Sequence, residues 1–145
     1  MIALPVPFSD DDLLARVREA MAAFGGDGER YVRILLTRGE GEFTYDPHAC
    51  PHPTLVIIVK ALPPDVPQHY AKGVKVVAVT VMRNHPSSLN PRIKSNNLLN
   101  NVLAMQESLR RGGFEALMRN HRGEFVECSQ SNVFVVREGG VVMTP

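Results

Sequence analysis

The chain has 145 residues, of which 44% are hydrophobic and 21% are charged, as in a packed globular protein. This composition excludes a disordered tail, a collagen-like fibre and a low-complexity linker. Sixteen Lys and Arg against fifteen Asp and Glu give a formal net charge of +1, so no global field attracts nucleic acid or an acidic membrane. The sequence contains two cysteines, no bilayer-length apolar run and no signal-peptide pattern. We therefore expect a cytoplasmic protein.

The first half of the chain predicts one helix and two strands before a proline-rich segment. Ser9 is a good N-cap for a helix that runs to Phe24. The segments 31–37 and 54–60 have the β-branched and aliphatic composition of strands, and the second is typical of a strand buried on both faces. Three prolines within 62–67 favour neither helix nor sheet, which predicts a domain boundary there.

The second half predicts a strand, a helix and a series of short strands. Residues 74–82 alternate and are β-branched, which indicates a strand. Ser95 or Asn96 is expected to cap a helix that continues to Leu109 and ends at Gly112. Short strands joined by turns with hairpin chemistry are then expected to form a meander: 114–119, 124–128, 132–137 and 141–144.

Lys94 lies between a proline-bounded loop and the start of the predicted helix. A lysine amine forms a Schiff base with a carbonyl compound when its surroundings favour the uncharged amine. The alternative is an ordinary solvated lysine on the surface. The residues alone leave both interpretations open.

Glu127 lies near the end of the predicted strand 124–128. Strand alternation places it on the same face as Phe125. It is either partly buried beside that ring, where it needs a partner such as a protonated ring nitrogen, or it points to water from an edge strand. The polar run Ser129–Asn132 that follows offers hydroxyls and N–H groups to an anion, or it forms an ordinary turn.

Two other groups of residues have weaker patterns. His48, Cys50 and His52 are residue types that bind zinc, but their spacing fits no common zinc finger and we expect no metal site. Arg33 interrupts an apolar strand. If it faces inward it is able to bind a carboxylate bidentately, and if it faces outward it is a surface residue.

Several segments stand in an order and spacing known from one family. They are 31–39 (YVRILLTRG), 83–86 (RNHP), 93–104 (IKSNNLLNNVLA), 123–134 (GEFVECSQSNVF) and the final Thr144-Pro145. Together they resemble the class IV pyridoxal-phosphate aminotransferases across nearly the whole chain. That family includes branched-chain aminotransferases, D-amino-acid aminotransferases and aminodeoxychorismate lyases.

The resemblance implies an α+β fold of the fold-type IV class, with a small α/β domain and a larger β-rich domain. Residues 1–62 would form the C-terminal part of the small domain and 63–73 the interdomain linker. Residues 74–145 would form the N-terminal part of the large cofactor-binding domain. The chain is then expected to be truncated at both ends, without the phosphate-binding segments of the family.

The resemblance also implies a chemistry, the transfer of an amino group between an amino acid and a 2-oxo acid in a homodimer. Lys94 would carry pyridoxal 5'-phosphate as a Schiff base and move the proton during transfer. Glu127 would face the pyridine nitrogen and keep the ring protonated, so that the ring withdraws electrons. Arg33 would contact the substrate carboxylate, and Ser131 and Asn132 would lie near the cofactor.

The sequence does not decide between a branched-chain and a D-amino-acid substrate. Leu99 stands where branched-chain enzymes carry a tyrosine, as in D-amino-acid aminotransferases. The basic carboxylate trap of the D-specific enzymes is, however, not found within 40–53. Two alternatives also remain: an aminodeoxychorismate lyase, which releases pyruvate, and a non-catalytic fragment of such an enzyme.

Overall fold

The computed structural model describes residues 2–64 and 66–145. The chain divides into two units, Met1–Pro67 and Gln68–Pro145. Asp65, within the predicted linker 63–73, lies outside the described residues. In the described part of the chain, no helix has the length and apolar character needed to cross a membrane.

The first unit begins with helix α1, Asp10–Phe24. Its start is a capping box, because Ser9 Oγ accepts from the Asp12 N–H at 3.2 Å and Asp12 Oδ2 accepts from the Ser9 N–H at 3.1 Å. These reciprocal bonds satisfy backbone donors that the first helical turn leaves open. The predicted N-cap is confirmed, and the helix ends at Phe24 as the sequence indicates.

The first unit also contains two antiparallel strands, with a short 3-10 helix, Pro47–Ala49, between them. Strand β1, Arg30–Thr37, pairs with β2, Thr54–Ala61, in continuous register from Arg30 opposite Ala61 to Thr37 opposite Thr54. The expectation that β2 is buried on both faces is wrong, because none of its residues is fully buried. Among the described strands β1 is its only partner, and α1 packs against it. Within this unit, a two-stranded sheet with one helix packed against it does not bury a strand on both faces.

A helix begins at the end of the proline-rich segment, where the sequence predicts neither helix nor sheet. Helix α2 spans Val66–Lys72. Pro67 falls in its first turn, where a backbone N–H has no partner inside the helix, so the missing donor costs nothing there. Prolines at the start of a helix are therefore compatible with it, although the same residues inside the helix would break it.

The second unit is a three-stranded mixed sheet with one helix packed against it and a separate hairpin. Strand β3 is parallel to β4, β4 is antiparallel to β5, and the strand order is β3-β4-β5. The predicted meander is wrong in its last part, because β6 and β7 form a two-stranded sheet of their own. The elements are β3 Val76–Ala78, α3 Leu99–Arg110, β4 Glu115–Arg119, β5 Phe125–Cys128, β6 Val135–Val136 and β7 Val142–Met143.

Strand β3 is shorter than the predicted 74–82. The Thr80 N–H donates to both carboxylate oxygens of Glu107, at 3.0 and 2.9 Å, and the Val81 N–H donates to the same group at 3.3 Å. The Val79 N–H still donates to the Leu117 carbonyl of β4 at 3.1 Å. From Thr80 onwards, a side chain of α3 therefore replaces a neighbouring strand as the acceptor for these backbone donors.

Helix α3 starts later than predicted. It begins at Leu99 with Leu98 at the N-cap position, and no side chain caps it. The hydroxyl of Ser95, one of the two expected caps, instead accepts from the Asn97 N–H at 3.3 Å in the preceding loop. The predicted cap is therefore wrong, and the residues from 95 to 98 belong to a loop.

The core of the second unit lies between α3 and the parallel strands. Its buried residues come from β3 and its continuation, α3 and β4, and they are Val77, Val79, Ala104, Ala116 and Met118. Met118 is a large side chain that has no exposed surface. It therefore makes the largest single apolar contribution to this small core.

We expect Met118→Ala to lower the free energy of unfolding by about 2–5 kcal/mol, because it removes buried methylene groups and leaves a cavity. Equilibrium urea denaturation measures this loss. The matched control is Met82→Ala, since Met82 is 59% exposed and its truncation should change stability by less than about 0.5 kcal/mol. Equal losses for the two variants would contradict this location of the core.

Candidate active site

Lys94 is exposed in the loop that joins β3 to α3. It is the central residue of a three-residue turn, in which the Ser95 N–H donates to the Ile93 carbonyl at 3.0 Å. Asn90 holds the preceding residues, because its side-chain oxygen accepts from the Arg92 N–H at 3.0 Å and its carbonyl accepts from the Ile93 N–H at 3.1 Å. The backbone around Lys94 is thus fixed by local bonds while the amine stays open to solvent.

Glu127 lies on the edge strand β5, opposite Met118 of β4. Its side chain is 35% exposed, and its Oε1 forms an ion pair with Nε of Arg83, whose side chain is 14% exposed. The Arg83 Nε–H makes no hydrogen bond in this arrangement, so the contact is one of charges. Both interpretations from the sequence hold in part, since Glu127 is at a sheet edge and is also partly buried with a charged partner.

A small cavity connects these two regions of the second unit. It has a volume of about 30 Å³, and its lining includes Ile93 and Ser95 on either side of Lys94 together with Arg83 and Asn101. A cavity of this size holds about one water molecule. The neighbours of Lys94 and the ion-pair partner of Glu127 therefore line the same space.

Arg33 lies in the first unit, on β1, with its Cα opposite that of Ile58. It is exposed. Lys94 and Glu127 lie in the second unit. The contact of Arg33 with a substrate carboxylate therefore stays a prediction.

The polar run Ser129–Asn132 does bind an anion, and that anion is a side chain of this protein. Glu115, which is 7% exposed, accepts from the Ser129 N–H at 3.1 Å, the Gln130 N–H at 3.3 Å and the Ser131 hydroxyl at 3.0 Å. The Ser129 hydroxyl also donates to it. Buried carboxylates require such partners. Glu115 is not among the site residues predicted from the sequence, although an acidic residue at the start of an apolar strand is a signal for such a role.

Ser131 and Asn132, predicted to lie near the cofactor, have different surroundings. The Ser131 hydroxyl donates to Glu115, and its carbonyl accepts from the Cys128 N–H at 3.0 Å. Asn132 is exposed after the turn. The assignment of both residues to the cofactor remains a prediction.

Cys128, which follows Glu127, is buried. Burial raises the pKa of its thiol, and the negative charge of Glu115 raises that pKa further. A thiol in such surroundings stays protonated at neutral pH and is a poor nucleophile. This argues for a packing role for Cys128 beside the candidate site.

The loop that contains His48, Cys50 and His52 is packed against glycines. A Cβ added at Gly41 would lie 2.1 Å from the Ala49 carbonyl oxygen and 2.7 Å from the Cys50 sulfur. Within residues 2–64 and 66–145, no three His, Cys, Asp or Glu side chains are grouped so that they could hold a metal ion.

Comparison with known proteins identifies the family. Residues 1–145 match the family described as amino-transferase class IV. The chain belongs to this family. The predicted resemblance and the α+β fold of the fold-type IV class are therefore confirmed.

Members of the family with different names are similar to this chain. A protein of Methanocaldococcus jannaschii, provisionally named a branched-chain-amino-acid aminotransferase, is 31% identical over 99% of this chain and 48% of its own length. The D-alanine aminotransferase of Listeria monocytogenes is 32% identical over 95% of this chain and 46% of its own length. The chain thus spans about half the length of the curated relatives it matches.

A solved structure has the same fold. The crystal structure of an aminotransferase from Brucella abortus bound to the co-factor PLP superposes with a TM-score of 0.80 and 26% sequence identity. The match covers 98% of this chain and 49% of that one.

The contact between Glu107 and the end of β3 leads to a prediction about acid stability. The hydrogen bond from the Thr80 N–H is the main cause that holds the pKa of Glu107 below its ordinary value of 4.5. A carboxylate with a lowered pKa stabilises the folded state above the unfolded-state value, and this contribution is lost as pH falls through the folded-state value. Glu107→Gln should therefore flatten the loss of stability below pH 4.5, as measured by urea denaturation at a series of pH values.

Thr80→Val is the matched control for this prediction. It removes the hydroxyl bond to Glu107, which is 2.8 Å long, and leaves the backbone donor in place. Most of the acid dependence should therefore remain in Thr80→Val. If Glu107→Gln lost stability below pH 4.5 as steeply as the wild type, the acid dependence would have to come from other groups.

Proposed function

We propose that the protein containing this chain is a pyridoxal-phosphate-dependent aminotransferase, which transfers an amino group between an amino acid and a 2-oxo acid. The observation that carries the proposal is that one unit contains both an exposed loop amine, Lys94, and a strand carboxylate, Glu127, that forms an ion pair with Arg83. Both residues stand in the segments that resemble the family motifs. Membership of the class IV family supports the same activity.

The Lys94 amine and the Glu127 carboxylate of the second unit are groups of the kind that pyridoxal phosphate requires. Pyridoxal phosphate, when bound, supplies a reactive aldehyde and a pyridine ring that withdraws electrons from the substrate's Cα. The exposed amine of Lys94 is suited to the aldehyde carbon. Glu127 suits a protonated ring nitrogen, since its Oε2 accepts no hydrogen bond from the described residues while Oε1 contacts Arg83.

Glu127 would hold the proton on the ring nitrogen through its carboxylate. A charge-assisted bond between a carboxylate and a protonated nitrogen is stronger than a neutral one. Arg83 keeps one oxygen of the carboxylate in place, so the second oxygen points in one direction. This pre-organisation means that the carboxylate needs no rearrangement when charge develops on the ring.

Lys94 would act twice in the reaction. Its Nζ would hold the cofactor in the resting protein. Once the incoming amino acid has freed it, the same Nζ would act as the base that moves the proton of the substrate's Cα. An amine on a loop residue, with local backbone bonds on both sides, is able to serve both roles without unfolding its surroundings.

The substrate belongs to the branched-chain or the D-amino-acid type, in line with the names of the relatives from Methanocaldococcus and Listeria. Arg33 is the proposed contact for the substrate carboxylate. Both of those names support amino transfer over the release of pyruvate by a lyase. We also propose that the protein works as a homodimer, as the family resemblance implies, and that it acts in the cytoplasm, as the composition indicates.

The decisive test is covalent capture of the cofactor. Incubation with pyridoxal phosphate followed by borohydride reduction should attach a pyridoxyl group to the tryptic peptide that contains Lys94. Lys94→Arg keeps the positive charge but should lose this adduct and at least about 10²-fold of the transaminase activity, because the group that moves the proton is gone.

Lys72→Arg is the control, since Lys72 is an exposed lysine on α2 and its replacement should change neither result. Full activity in Lys94→Arg would exclude the proposed role of Lys94. A wild-type protein that gives no adduct at saturating cofactor would instead support the non-catalytic alternative.

A further inference from the structure

The side-chain amide of Asn101, in the first turns of α3, joins two loops of the second unit. Its Nδ2 donates to the Ser129 carbonyl at 2.6 Å, and its Oδ1 accepts from Nη1 of Arg83 at 2.8 Å. A guanidinium needs an acceptor and a carbonyl needs a donor. The amide therefore satisfies both neighbours in only one orientation.

The Ser129 side of this link is fixed by a buried charge. Glu115 accepts from the backbone and the hydroxyl of Ser129. The Ser129 N–H also donates to the Ala116 carbonyl at 3.0 Å. The Ser129 carbonyl is thus held in place, and the hydrogen bond that Asn101 Nδ2 donates to it orients the Asn101 side chain.

The Arg83 side of the link leads to Glu127. The backbone N–H of Arg83 donates to the Arg119 carbonyl at 2.8 Å, which fixes the start of the side chain. The guanidinium accordingly has an acceptor in Asn101 and a charged partner in Glu127. Because Arg83 is mostly buried, the loss of the Asn101 acceptor would leave a donor unsatisfied and favour a different rotamer.

We propose that Asn101 is a positioning residue for Glu127, which acts by holding the Arg83 guanidinium in the orientation that pairs with the carboxylate. The proposal rests on the proposed function, in which Glu127 binds the pyridine ring. Asn101 itself touches neither the cofactor nor the substrate in this role. Its effect reaches the ring through Arg83 and Glu127.

A purely structural role for Asn101, fastening α3 to the Ser129 loop, is the competing explanation. Two substitutions separate the roles. Asn101→Ala removes both contacts. Asn101→Asp keeps an acceptor for Arg83, but it replaces the donor to the Ser129 carbonyl with a carboxylate oxygen, which repels that carbonyl. The structural role predicts that Asn101→Asp is at least as harmful as Asn101→Ala, and the positioning role predicts that Asn101→Asp restores Arg83.

The first measurement needs no cofactor. In protein labelled with ¹⁵N-arginine, the solvent exchange of the Arg83 Nη hydrogens reports whether the guanidinium keeps its hydrogen bond to Asn101, and Arg83→Lys assigns the signal by its absence. Asn101→Ala should accelerate this exchange by about tenfold or more, since a hydrogen bond from a charged donor is lost. Asn101→Asp should exchange at nearly the wild-type rate. Equal acceleration in both variants would overturn the proposal.

The second measurement is the affinity for pyridoxal phosphate, followed by fluorescence. Asn101→Ala should weaken binding by about tenfold, as expected when one charged hydrogen bond is lost, and Asn101→Asp should recover most of the loss. Gln106→Ala, an exposed change on the same helix, should have no effect.

The two proposals fail in different ways. Wild-type protein that binds no pyridoxal phosphate would overturn the proposed function. Wild-type binding that is unchanged in Asn101→Ala would overturn the positioning role and leave the proposed function standing.

Discussion

A carboxylate that is almost wholly removed from water must be satisfied by the chain around it, and Glu115 imposes this requirement on the second unit. It lies at the start of β4, the central strand of the sheet. The turn after β5 meets the requirement with backbone N–H groups and hydroxyls. The turn that follows Glu127 therefore has one conformation, set by a residue 14 positions earlier in the chain.

Glu107 imposes a similar constraint at the end of β3, the edge strand opposite β5. Its carboxylate, whose side chain is 12% exposed, ends β3 by accepting from Thr80 and Val81. The chain then continues into the segment that carries Arg83 and, further on, Lys94. Glu107 and Glu115 thus each hold the chain where a strand passes into a loop of the candidate site, and Asn101 connects these two segments.

The sequence predicts those features that depend on neighbouring residues. Helix α1 has its cap and its partner three residues apart, so the capping box is visible in the sequence. The end of β3 depends on Glu107, 27 residues later, and no local pattern reveals it. The same holds for Glu115 and Ser129. Lys94 and Glu127 are predicted as site residues because family motifs record long-range arrangements, whereas Asn101 has no chemistry that marks it in the sequence.

The placement of Lys94 on a loop and Glu127 on a strand suits the proposed reaction. In that reaction Lys94 would hold the cofactor and then carry a proton, so its amine would need freedom of movement, which an exposed turn provides. Glu127 would hold one proton at one atom throughout, so it would need a fixed position, which a strand and an ion pair provide. The polar network runs through Arg83 to Glu127 and places no bond on the Lys94 amine among the described residues. The rigidity of the site is therefore confined to the carboxylate whose role requires it.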